Sequence, residues 1–248
     1  MTKESLSDTV TLDEEIGTTD IVTGAPTSAL QPVSGAGVVG EVDQTDVRFP
    51  RLQLVQGVGP LSEVKEFSKG DVILDGEYKL SDGESPVEFT VCQIGKQYEE
   101  NLPYDSEDIP RIVNTQQEVN QLGGTTRASK DGGKYIPPSW RSIADALIAI
   151  KASEGTSDED INLYFPFEGP DGSHWSFARW VIKGVAYKEA AVEIFSAASM
   201  YYRDGLKNGT FLLTTRKKMY GPNAVMVPTV RKGNRNTEEL SNWLSTLA

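Results

Sequence analysis

The chain has 248 residues, 38% hydrophobic and 24% charged, with a formal net charge of −12. That length and apolar content suffice for one large domain or two small ones, while the single Cys92 forms no internal disulfide and, with the single His174, supplies no Cys/His zinc site. No apolar run approaches the roughly 18 residues of a membrane-spanning helix, and the opening MTKESLSDTVTLDEE lacks the charged-then-apolar order of a signal peptide, so a soluble cytoplasmic protein of a reducing compartment is expected.

The charge is unevenly placed. Residues 1–47 carry nine acidic side chains against Lys3, whereas residues 201–248 carry eight Lys and Arg against Asp204, Glu238 and Glu239. The head, including GTTDIVTGAPTSALQPVSGAGVVGEVDQ, has no aromatic residue and no sustained period. Residues 1–46 therefore read as a disordered acidic arm, either a solubilising terminus or one that competes with nucleic acid or recruits partners.

Order is expected from RFPRLQLVQGVGP, where a short strand is ended by Gly57-Val58-Gly59-Pro60. GDVILDGEYKLSDG holds two apolar runs around Asp75-Gly76, a hairpin signal. Val87, Phe89 and Val91 alternate with Glu88, Thr90 and Cys92 as in a half-buried strand. From about 99 to 141 the chain is polar and aperiodic, too long for a simple connector, and reads as one long loop. In ADALIAIKAS the Ile and Leu content favours a strand over the helix that its Ala spacing allows. INLYFPFEGPDGSHWSFARWVIKG reads as a hairpin closed at Gly169-Pro170-Asp171-Gly172. VAYKEAAVEIFSAASMYYRDGL is helical, with Ala191, Ile194, Phe195, Ala198 and Tyr202 on one side. GTFLLTTRKKMYGPNAVMVPTV is a second two-strand unit turning at Gly221-Pro222-Asn223, and a helix from about Thr237 places Leu240, Trp243, Leu244 and Leu247 on one face. The sum is a mainly β chain with added helices, a small antiparallel β-barrel over 47–235 followed by a C-terminal helix in 236–248.

Catalytic motifs are missing. GGTTRASKDGGKYIPPSWR, residues 123–141, holds glycines and cations but fails as a phosphate loop, because Gly133-Lys134 is followed by Tyr135 rather than Ser or Thr and no glycine stands five positions before Gly133. His174 has no second imidazole beside it and reads as a polar strand residue, no Ser sits in a GxSxG elbow, and Asp158, Glu159 and Asp160 read as a solvated turn before a strand. A non-enzyme without cofactor or metal is expected.

What remains is the apparatus of a binder, aromatic side chains beside basic ones, which hold single strands by base stacking and by phosphate neutralisation. The glycine-rich stretch supplies Arg127, Lys130, Lys134 and Arg141 with Tyr135 and Trp140. HWSFARW sets Trp175, Phe177 and Arg179 on one strand face and His174, Ser176, Ala178 and Trp180 on the other, one of which must line the core. Arg216, Lys217 and Lys218 follow one another at a strand end, and Arg231, Lys232 and Arg235 form a further basic run. Each group also has a plain reading, as buried core or solvated charge.

PRLQLVQGVGP, GDVIL, VEFTV, PFEGPDG, GVAYKEA, GTFLLTT and VPTV, in that order from about Phe49 to Val230, resemble a group of bacteriophage single-stranded-DNA-binding proteins with an oligonucleotide-binding barrel. The resemblance implies binding of single-stranded DNA in phage DNA replication or recombination, in the cytoplasm of an infected bacterium, with replication or recombination proteins as partners and a homo-oligomer left open. One departure is that SNWLSTLA at the end is not an acidic tail; the acidic arm lies at the other terminus. The alternative is a non-enzymatic viral structural or protein-interaction module.

Overall fold

The computed structural model describes residues 48–103, 106–220 and 223–247. The expected arm at 1–46 and the turn at 221–222 lie outside them.

A small antiparallel sheet is built from β1 (Leu52–Leu54), β2 (Val72–Leu74) and β3 (Tyr78–Ser81). The chain turns between β2 and β3 at Asp75 and Gly76, whose φ values of 51° and 80° are the left-handed geometry that Asp-Gly tolerates. Then follow β4 (Val87–Glu100), β5 (Ile112–Val113), α1 (Gln116–Gln121), β6 (Ser129–Asp131), β7 (Lys134–Ile136) and β8 (Trp140–Lys151). The second half holds α2 (Asp158–Tyr164), β9 (Phe167–Glu168), β10 (His174–Lys183), a π-helical turn (Tyr187–Ala191), α3 (Val192–Met200), β11 (Gly209–Tyr220), β12 (Asn223–Arg235) and α4 (Glu238–Leu247). The main sheet is antiparallel in the order β12-β11-β4-β8-β10-β9, with β5 on the far end of β4.

One face of this sheet is the principal core. Phe89 and Val91 of β4, Ala144, Ala146, Ile148 and Ile150 of β8, and Ala178, Trp180 and Ile182 of β10 pack there against Ala191, Ile194 and Ala197. A bulge between Val91 and Gln93 resets the alternation of β4, so that Ile94 returns to the face of Val91. The opposite face is covered by α4, whose Leu240 and Leu244 close over Ala149, Trp175 and Phe177. Thr237 starts that helix by accepting from Leu240 N at 3.2 Å, and Asn236 ties it down by donating to Lys207 O and Thr90 Oγ1.

Three sequence expectations need correction. Ile161–Tyr164 is not a strand arm: Ser157 caps α2 by accepting from Asp160 N, and Asp158, Glu159 and Asp160 occupy its first turn, where acidic groups suit the helix dipole. The stretch 99–141 is not one loop; it carries the end of β4, β5, α1, β6, β7 and the start of β8. The sheets do not close into the expected barrel. No strand ladder joins β12 to β10 among the described residues. The small sheet spans that gap instead. On one side Arg179 N donates to Pro50 O at 2.8 Å and Arg51 forms a single parallel bridge to Arg179. On the other side the Gln56 amide donates to Met226 O at 2.9 Å and accepts from Met226 N at 3.1 Å, so a side chain stands where a strand would. A continuous ladder is blocked there because Pro228, two residues along the same edge, has no N–H.

Candidate nucleic-acid interface

The glycine-rich stretch forms a β-finger. β6 and β7 pair as Ser129 with Ile136, Lys130 with Tyr135 and Asp131 with Lys134, and the tip is Gly132-Gly133 at φ 52° and 82°, a two-residue turn that needs positive φ at both positions. Directly paired residues share a face, so Lys130 and Tyr135 stand side by side. Every residue of both strands is exposed, Tyr135 at 62%. Lys130, Lys134 and the nearby exposed Arg127 make no ion pair with a carboxylate among the described residues.

The finger stands on a small apolar base. Val119 of α1, Tyr98 of β4 and Trp140 of β8 are buried together. Thr115 caps α1 in a reciprocal box with Glu118. The stem is closed by Trp140 N donating to Thr125 O at 3.0 Å and by Thr125 N donating to Ser139 Oγ at 2.8 Å. Arg111 lies over the Trp140 ring at 5.6 Å and is held by Glu100 in two bonds of 2.8 and 2.7 Å, which lower the Glu100 carboxyl below its ordinary range. Trp140 is therefore the anchor of the finger. At 2% exposure it has no face for a base, which corrects the stacking role expected of it.

Trp175 and Phe177 need the same correction. The strand HWSFARW is buried on both faces, Trp175 and Phe177 beneath α4 and Ala178 and Trp180 in the principal core. Arg179 emerges from it but is neutralised by Asp145, with Nε to Oδ1 at 2.8 Å, and that pairing raises the guanidinium pKa. Arg141 is bound to Glu99, its direct cross-strand neighbour, and Lys183 reaches the same carboxylate at 3.2 Å. On β11, Arg216 and Lys218 both hold Glu189 of the π-helical turn, whose carboxyl is lowered first by Lys218 and then by Arg216. Lys217, between them, is exposed and points to the other side of the strand.

Of the residues singled out from sequence, the structure thus groups Arg127, Lys130, Lys134 and Tyr135 as accessible. It buries Trp140, Trp175 and Phe177, and places Arg141, Arg179, Arg216 and Lys218 against carboxylates. Those carboxylates, Glu99, Asp145 and Glu189, give no local signal in sequence, because each partner lies 27 or more positions away. Scans of protein-family models, curated proteins and solved structures each found no match to this chain.

Proposed function

We propose that the protein binds single-stranded DNA with little sequence preference. The observation that supports this reading is the β-finger: an exposed aromatic, Tyr135, beside Lys130 on one face, with Lys134 and Arg127 nearby and no competing ion pair among the described residues. A base stacks on an exposed ring whatever its identity, and cations flanking the ring neutralise the adjoining phosphates. Backbone reading of this kind carries no base code, hence the low sequence preference. The small sheet that spans the gap between β10 and β12 is read as the open seam of an oligonucleotide-binding-like fold. The motif likeness to phage proteins favours a role in phage DNA replication or recombination.

Anisotropy of a labelled oligo-dT at two salt concentrations, with duplex as competitor, tests the proposal. Three finger cations on phosphates give a salt slope near −2 at about 0.7 per contact, and duplex should not displace the strand. Absence of binding at low salt overturns the proposal. The neutralised cations of β8, β10 and β11 favour a second reading, a viral structural or protein-interaction module. A fixed homo-oligomer in native mass spectrometry that ignores oligo-dT would select it.

A further inference from the structure

The end of α3 carries a second aromatic on positive ground. Tyr201 and Tyr202 are adjacent, yet their side chains diverge. Tyr202 is 3% exposed, edge-on to Phe211, and its hydroxyl lies within 3.4 Å of the carbonyls of Thr210 and Gly233, which fixes the backbone at this point. Tyr201 is thereby turned outward, 54% exposed, next to Met200 at 62%. Lys232 of β12 lies over the Tyr201 ring at 4.6 Å. Arg235 donates to Tyr201 O at 3.1 Å and pairs with Asp204. Arg203 is exposed and has no carboxylate partner among the described residues. A groove between α3 and β12 opens beside the ring over Phe211 and Val230, and Glu193 is its one acidic lining residue.

We propose that Tyr201 and Lys232 form a second contact for the same single strand, Tyr201 stacking a base at the mouth of this groove and Lys232, with Arg203, taking the phosphates. The inference rests on the reading of the protein as a single-stranded-DNA binder, and charge complementarity selects the occupant. Arg203, Lys232 and Arg235 outnumber Asp204 and Glu193, so an anionic strand fits and a cationic partner does not. The flat ring beside an apolar groove suits a base better than a phosphate alone.

The test uses the full chain, a labelled oligo-dT of about 20 nucleotides and four variants. Tyr201→Ala should weaken binding about 5- to 150-fold, the span of one lost stacking contact, while Tyr201→Phe retains it. Lys232→Ala should make the salt slope shallower by about 0.7. Unchanged melting temperatures show that the fold is intact, as the exposure of both side chains leads one to expect. If Tyr201→Ala and Lys232→Ala bind as the parent does while Tyr135→Ala is impaired, the second contact is overturned and the finger reading stands. If the parent binds no oligo-dT, both fall together.

Discussion

Glu99 shields two cations, and removing its charge should turn them outward to a ligand. In Glu99→Gln the side chain keeps its shape but no longer neutralises Arg141 or Lys183, whose side chains are 38% and 51% exposed. Each freed cation that meets a phosphate adds about 0.7 to the salt slope for single strands, so the slope should steepen by about 1.4. Between 200 and 50 mM salt that corresponds to roughly a sevenfold larger gain in affinity than the parent shows. Because Glu99 is buried while its partners are partly exposed, the cost to the fold lies between the about 0.2 to 1 kcal/mol of an exposed pair and the about 3 to 5 kcal/mol of a buried one. Anisotropy of labelled oligo-dT across a salt series reads the slope, and thermal melting reads the cost. A slope equal to or shallower than the parent's would refute the reasoning, since it would mean that Arg141 and Lys183 never face the strand.

Trp140→Ala should cost about 3 to 5 kcal/mol by emptying the finger's base, and hydrogen exchange should show the loss of protection concentrated in residues 112–139. Gly124→Ala tests the same base from the other side: a Cβ there would stand 2.3 Å from the Trp140 ring, so chemical denaturation should report a loss of stability. Cys92, its thiol pushed up to about 12 by burial beneath α4, should resist a thiol reagent at pH 8 in the native protein and react fully once the chain is unfolded in denaturant. The Glu189 carboxyl is held below its ordinary 4.5 by Lys218 and Arg216, so its contribution to stability is present above that value and is lost as pH falls through the lower, folded one. Glu189→Gln should accordingly show a smaller drop in melting temperature between pH 7 and pH 3 than the parent.

Local chemistry made the periodic elements legible. Asp75-Gly76 announced the first hairpin, the Ile and Leu of ADALIAIKAS correctly outweighed its alanines to give β8, and Leu240, Trp243, Leu244 and Leu247 marked the face of α4 that packs on the sheet. The burial of Trp175 and Phe177 was not legible, because the helix that covers them comes more than 60 residues later and alternation within β10 cannot reveal it. The finger escaped for the opposite reason. With all six strand residues exposed it has no apolar alternation, and its only signal was the Gly132-Gly133 pair between Asp131 and Lys134, which suits a two-residue hairpin turn. Ion pairing was hidden altogether, since Arg141, Arg179 and Arg216 look free in the sequence and find their carboxylates only through strand register and the packing of the π-helical turn.

The finger's isolation also bears on how such a protein can change over generations. A segment that buries nothing contributes almost nothing to folding free energy, so substitutions from Ser129 to Ile136 fall outside the stability threshold that constrains the core. Within the finger the two tip glycines carry a structural cost when altered, and beneath it Trp140 and Gly124 do so as well. Selection can therefore rewrite the contacting surface one residue at a time while the scaffold beneath stays as it is.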